Sequence, residues 1–260
     1  MSILNELLSE MFEVVRVLIG IPTVGGVHPA AYDNRLEMMK YLGIVQAASH
    51  YGKDKFEEIK LPTFDKMFKF DVYVIGRVLT PIARENLAQR AVDEGYDYLL
   101  FIDDDMLTPQ DLFFHLYKHK KDIVAALAFT RNYPHRPVIY RLDKGFEDGK
   151  PWYSNYAILD YPKDSLVKCD AVGFGAVLID TKVFKGMKGK WFATTSGRGE
   201  DIFFCHQAGE QGFEIYMDTT VKLGHLGDPI NIDEKYYEEM PESKIKELRD
   251  ALPEKKGVEI

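Results

Sequence analysis

Tyr98-Leu99-Leu100-Phe101-Ile102-Asp103-Asp104-Asp105-Met106 decides how the rest of the chain is read. Five apolar residues run without alternation, and three carboxylates follow at once. Such a run suits a strand covered on both faces, the kind that parallel sheets contain. The carboxylates then emerge at the strand's carboxyl end, the edge at which open α/β sheets bind ligands. Adjacent carboxylates repel one another, and the simplest stabilising partner is a divalent cation of the oxygen-loving kind, Mg²⁺, Mn²⁺ or Ca²⁺. The plainer alternative for the triplet alone is a solvated acidic turn.

Outward from this stretch, strand and helix alternate. Residues 14–21 read as a strand ending in Pro22-Thr23 and the loop Val24-Gly25-Gly26-Val27, after a short amphipathic helix carried by Leu4, Leu7, Leu8 and Met11. A helix is expected over 35–49 with Leu36, Met39, Leu42, Val45 and Ala48 inward. A strand over 70–75 follows. Pro81 then opens a helix with Leu87, Ala88, Ala91 and Val92 inside, and Gly95 ends it. Past the triplet, Thr108 is placed to cap a helix that Pro109 begins and that runs over 110–120, leading to a strand over 123–129. The pattern predicts parallel βαβ units and an α/β fold.

The second half changes character. Residues 131–161 are rich in Pro, Gly and aromatic side chains and read as irregular or antiparallel, with short strands near 138–141 and 152–158. A strong strand is expected over 171–179 with Gly173-Phe174-Gly175 inside it. Residues 186–199 form a glycine-rich basic loop around Trp191-Phe192, of the kind that is often functional. A helix over 201–211 and strands over 213–217 and 221–223 lead to Gly224-His225-Leu226-Gly227. Beyond Asp228 the chain is polar, with one amphipathic helix between Pro241 and Pro253.

Composition narrows the function. A net charge of −8 over 260 residues argues against a general nucleic-acid binder, which needs clustered Lys and Arg, but not against a nucleotide held through a metal. Cys169 and Cys205 are the only cysteines, so neither a disulfide framework nor a structural zinc site is suggested, and a reducing cytoplasm is the expected location. Glu6, Glu10, Glu13 and Arg16 interrupt the apolar amino-terminal stretch, which does not read as an export signal. No stretch reaches the roughly 20 apolar residues that span a bilayer. His115 and His119 have zinc-binding spacing, but no Glu lies between them, and two exposed histidines on a helix are expected instead.

Four stretches have the residue types of one site: the acidic triplet, Gly173-Phe174-Gly175, Gly199-Glu200-Asp201 at a helix start, and His225 between glycines. Each has a mundane reading. Glycines in a strand mark a bulge or close approach, and carboxylates favour a helix amino terminus.

In this order and combination the stretches resemble the GT-A-type glycosyltransferases, close to the family 2-like group, over residues 14–227. That family ends its central strand in Asp-x-Asp, as Asp103-Asp104-Asp105 does here. It then carries a glycine-containing strand, an x-Glu-Asp turn and a late His, which Gly173 to Ala176, Gly199-Glu200-Asp201 and His225 match in turn. A Trp before x-Glu-Asp and an Arg upstream of the central strand are also familiar, and Trp191 and Arg84 fit them.

The resemblance implies a GT-A (Rossmann-like) fold in a single catalytic domain over 1–227. Its nucleotide-binding half would span 14–130, its acceptor and metal half 131–227, and 228–260 would be an extension. It implies sugar transfer from a UDP- or GDP-sugar to the hydroxyl of an acceptor, whether glycan, protein or small molecule. A divalent cofactor, Mn²⁺ or Mg²⁺, would sit on Asp105 first, with His225 and Asp103, and neutralise the leaving diphosphate. Asp103 or Asp104 would hold the ribose, Thr23 and Arg84 would touch the nucleotide, and Gly173 and Gly175 would line the donor site. Asp201 would be the general base of an inverting displacement, with Glu200 orienting the acceptor or Asp201. Trp191 would stack on a sugar, or else anchor the packing.

Competing readings are weaker. An aspartyl phosphotransferase of the haloacid dehalogenase type would use Asp103 as nucleophile and Asp105 as acid/base, but it wants Thr where Leu107 stands. A nucleotidyltransferase would want a basic residue close after Gly25-Gly26, and the next is Arg35. A non-catalytic nucleotide-sugar or carbohydrate binder would have little use for Asp201.

Overall fold

The computed structural model describes residues 13–51, 66–147, 150–195, 198–227 and 231–250; the expected amino-terminal helix lies outside them. In chain order, β1 (Val14–Thr23) leads through α1 (Pro29–Tyr51) to β2 (Met67–Gly76), and α2 (Thr80–Asp93) leads to β3 (Tyr98–Ile102). Next come β4 (Met106–Leu107), α3 (Leu112–Tyr117), β5 (Ile123–Leu127) and the hairpin β6 (Ile139–Glu147) with β7 (Lys150–Ala157). β8 (Leu166–Cys169), β9 (Ala171–Val172), β10 (Ala176–Asp180), α4 (Thr181–Gly186) and α5 (Glu200–Glu210) follow. The chain then runs through β11 (Ile215–Lys222), β12 (Gly224–Leu226), β13 (Asn231–Ile232), α6 (Glu234–Glu238) and α7 (Glu242–Asp250).

Seven strands form the central sheet in the order β2-β1-β3-β10-β5-β11-β8. Five point one way, while β10 and β8 run against them. Two small sheets, β13-β12-β4 and β7-β6-β9, are antiparallel. The molecule is thus a mixed α/β fold with a large, mostly parallel sheet, consistent with the GT-A-like arrangement.

The apolar run of β3 divides between the two faces. Leu99 and Phe101 join a core with Leu18, Leu87, Ala88, Phe174 and Phe204. Leu100 and Ile102 join the other, with Val17, Ile19, Met38, Leu42 and Phe113. All four of these β3 side chains are fully enclosed. Burying a Leu or Phe contributes about 1.5–3 kcal/mol, so a polar substitution anywhere in the run is costly on either face.

Local signals behave as expected around α2. Pro81 lies in its first turn, and Gly95 ends it at φ 70°, the left-handed conformation that favours glycine. No helix among the described residues is long and apolar enough to cross a membrane.

Several expectations change, among them the two strands expected over 213–217 and 221–223, which are one, β11. The inner face of α1 holds at Leu42, Val45 and Ala48 and shifts by one residue only in its first turns: Leu36 is 43% exposed and Met39 half-buried, whereas Arg35 and Met38 are buried. Inside, the Nη groups of Arg35 donate to carbonyl and side-chain oxygens, while its Nε has no partner. Thr108 does not cap a helix. Its N–H donates to Asn34 Oδ1 (2.9 Å), and the helix starts later, at Leu112 after Asp111. The single strand expected over 171–179 is two, β9 and β10, because the backbone leaves one sheet and enters another at Gly173-Phe174-Gly175.

Candidate active site

The acidic triplet leaves β3 beside the end of β1, since Val17 to Gly20 pair with Tyr98 to Phe101. Arg35 shapes the turn from beneath. It donates to the carbonyls of Asp103 and Met106 (both 2.8 Å) and to Thr108 Oγ1 (3.2 Å). Burial pulls this guanidinium down to about 10, against the opposing pull of Asp103 and Asp104. No motif pointed to Arg35. The residue was legible only as a helix residue, because the carbonyls it binds are 68 and 71 positions away.

The triplet divides. Asp103 faces Arg84, whose Nη2 donates to Oδ1 at 2.7 Å while its Nε donates to Glu200 Oε1 at 3.2 Å. Arg84 is 2% exposed, and its guanidinium lies 5.3 Å from the Phe101 ring and 5.2 Å from that of Phe174. Burial alone would pull Arg84 down, but Asp103 and Glu200 more than offset it and its pKa rises. One side chain therefore ties the end of β3 to the start of α5. Burial pushes Asp103 up to about 6, with Arg84 drawing it back.

Asp105 turns the other way. Its Oδ2 lies 3.3 Å from Nε2 of His225 and also contacts Arg131 Nη2. The small sheet makes this meeting possible: His225 on β12 pairs with Met106 on β4, and Leu226 N–H donates to the Asp105 carbonyl (2.9 Å). Nδ1 of His225 lies 2.7 Å from the Phe129 carbonyl oxygen, which can only accept, so Nδ1 carries the hydrogen. Burial holds the imidazole below its ordinary value, and with its hydrogen on Nδ1 the neutral ring turns its Nε2 lone pair toward Asp105.

Two lone-pair donors facing each other fit a divalent ion that takes its other ligands from phosphate oxygens and water. Among the described residues no three His, Cys, Asp or Glu side chains gather as a metal cluster: Asp105 and His225 meet, but Asp103, the third ligand expected, is held apart by Arg84. Asp104 lies near enough to Arg35 to act on its charge. At the end of β1, Thr23 Oγ1 is buried without a hydrogen-bond partner, which suits a ligand contact.

At the amino end of α5, Asp201 accepts from the Ile202 N–H (2.7 Å), next to Glu200. Burial, then Glu200, pushes its carboxyl up to about 6 despite that hydrogen bond and Arg84. Its charge reaches Tyr140 on β6.

The remaining predicted residues act from a distance. Gly173 and Gly175 are buried, and a Cβ would lie 2.7 Å from Val138 Cβ at the first and 3.1 Å from Met106 Sδ at the second. The close approach they permit is to the protein's own side chains. Gly175 reaches the site through its carbonyl, which accepts from Asp103 N–H at 3.0 Å. Gly173→Ala should lower stability by about 1–3 kcal/mol in urea unfolding, whereas Gly26→Ala, where a Cβ meets nothing within 4 Å, should change it little. Trp191 packs edge-on against Phe184 (5.2 Å), and its Nε1 is buried without a partner. Of the two histidines expected exposed on a helix, His115 is so, beside Asp111 (3.1 Å), whereas His119 lies past the end of α3, mostly covered, against the buried Asp218 (2.6 Å).

No family model matches the chain, and no curated protein matches it. Solved structures do. A197 from STIV aligns at a TM-score of 0.51 and 16% identity, over 85% of this chain and 92% of that one. GalNAc-T7, solved with UDP, GalNAc and Mn²⁺, aligns at 0.49 and 13% identity, over 87% of this chain and 45% of that one, a likeness too slight to extend the assignment. The chain shares its α/β fold with A197 from STIV.

Proposed function

We propose that the protein is a metal-dependent glycosyltransferase that moves a sugar from a nucleoside-diphosphate sugar to an acceptor hydroxyl with inversion. One observation carries this reading: the four stretches, separated by up to 120 residues, meet at the carboxyl edge of β3. Asp105 and His225 would hold Mn²⁺ or Mg²⁺, which supplies charge neutralisation for the departing diphosphate. Thr23 offers a hydroxyl to the nucleotide from the end of β1, and Asp103 or Asp104 offers carboxylate oxygens to the ribose. Arg84 fixes the distance between the donor side and the Glu200-Asp201 turn. Asp201 takes the acceptor proton as the oxygen attacks the anomeric carbon, and Glu200, held by Arg84, keeps that carboxylate in place. Trp191 is left as a packing anchor for the loop that precedes α5.

A nucleotidyltransferase is disfavoured because Arg35, the first basic residue after Gly25-Gly26, is spent on the carbonyls of Asp103 and Met106. The test is a screen of UDP- and GDP-sugars for thermal stabilisation and slow donor hydrolysis, with and without Mn²⁺. One nucleotide class should stabilise the protein, and only with metal. Stabilisation by none, or by all regardless of metal, would refute the assignment.

A further inference from the structure

We propose that Arg131 is a tethered cation: it holds the Asp105–His225 pair while no metal is bound, and passes to the donor's diphosphate when a divalent ion takes its place. This rests on the donor-site reading above.

The starting point is one oxygen. Asp105 Oδ2 is the atom that faces His225 Nε2, and it is also the atom that Arg131 Nη2 contacts. With its hydrogen on Nδ1 toward the Phe129 carbonyl, the neutral His225 ring presents its Nε2 lone pair to the same carboxylate oxygen that Arg131 holds. An ion entering between Asp105 and His225 must therefore compete with this guanidinium.

Arg131 is built differently from the other two arginines of the site. Arg35 and Arg84 are buried, with several partners each. The Arg131 side chain is 54% exposed and makes its ion pair from the solvent side. Exposed ion pairs are weak and exchange readily. The residue before Arg131, by contrast, is anchored. Thr130 N–H donates to the Arg136 carbonyl (2.8 Å), Arg136 N–H donates to Thr130 Oγ1 (2.9 Å), and His135 Nδ1 lies 3.0 Å from the Thr130 carbonyl. A swing of the side chain leaves this loop in place. The three residues after Ala128 thus brace both members of the pair, Phe129 through its carbonyl on His225 and Arg131 through its charge on Asp105. Once displaced, the guanidinium stays within a side chain's length of the metal, where diphosphate oxygens offer two-pronged hydrogen bonding.

The test uses the full chain and Mn²⁺ alone, followed by electron paramagnetic resonance of the free ion, for wild type, Arg131→Gln and Arg131→Lys. Arg131→Gln should bind Mn²⁺ about fivefold more tightly, the size of one weak charge pair removed, and Arg131→Lys should fall between it and wild type. At saturating Mn²⁺, Arg131→Gln should then bind UDP or GDP, whichever wild type binds, about tenfold more weakly. Unchanged or weaker Mn²⁺ binding by Arg131→Gln, with wild type binding normally, would overturn the competition. Tighter Mn²⁺ with unchanged nucleotide affinity would overturn the transfer to diphosphate. If neither wild type nor Arg131→Gln binds Mn²⁺ or nucleotide, the donor site itself is wrong and the proposal falls with it. Melting curves for all three proteins separate these outcomes from misfolding.

Discussion

Asp201→Asn is expected to lower donor turnover to an acceptor by about 10³-fold, within the usual range for loss of a general base, while leaving Mn²⁺ and nucleotide affinity unchanged. The amide keeps an oxygen that can accept from Ile202 N–H, so the start of α5 stays intact and the lost element is proton removal alone. The pH profile supplies an independent check. A base must be deprotonated to work, and this carboxyl is pushed up to about 6, so wild-type kcat/KM should fall as pH drops through about 6. If Asp201→Asn retains turnover within tenfold of wild type, the base lies elsewhere.

The same residue makes a prediction that needs no substrate. Between 3.8, its ordinary value, and about 6, the folded chain keeps a proton on Asp201 that the unfolded chain has released. This residue's contribution to stability therefore falls as pH rises through that window. At pH 7.5 the buried negative charge opposes folding, and Asp201→Asn should melt higher. Two pKa units correspond to about 2.7 kcal/mol. Asp201 is only partly buried and solvent screens the charge, so a gain on the order of 1 kcal/mol is expected.

The strand-forming half of this fold was open to a reader of the sequence because burial on both faces leaves no polar residue to interrupt an apolar run. Leu99 to Ile102 look alike in sequence and alternate between two cores in space. The triplet, the Glu200-Asp201 turn and His225 were legible through their order and combination, since each alone has a structural use at a strand or helix end. What escaped reading were partners reached through space that no motif names. Arg35 shares the inner face of α1 with Met38 and Leu42, but its residue type gives no sign of burial, which depends on carbonyls presented by another element. Arg131 stands in a stretch with no periodicity at all. The antiparallel insertion of β10 between β3 and β5 was hidden for a related reason: strand direction is set by where the preceding chain comes from, and β9 delivers it from another sheet.

Arg84 carries the largest expected effect on stability. It is enclosed between Phe101 and Phe174 and neutralises Asp103 and Glu200 together. Arg84→Met would fill much of the same volume and remove the charge, leaving two carboxylates facing each other without a cation. Removing one partner of a buried ion pair costs about 3–5 kcal/mol. The Asp103 side chain retains 28% exposure, so the lower end applies, about 3 kcal/mol, or a fall in Tm on the order of 5–10 °C for a chain of this size. The stranded carboxylates would take up protons more readily than in wild type, so the deficit should shrink as pH falls from 7.5 to 5. Neutralising them by Asp103→Asn and Glu200→Gln in the same protein should return at least half of the lost stability, since the cost lies in unpaired charge rather than in packing. A deficit below about 0.5 kcal/mol, or one that the added substitutions deepen, would mean that the aromatic cage around Arg84, and not its charge, joins β3 to α5.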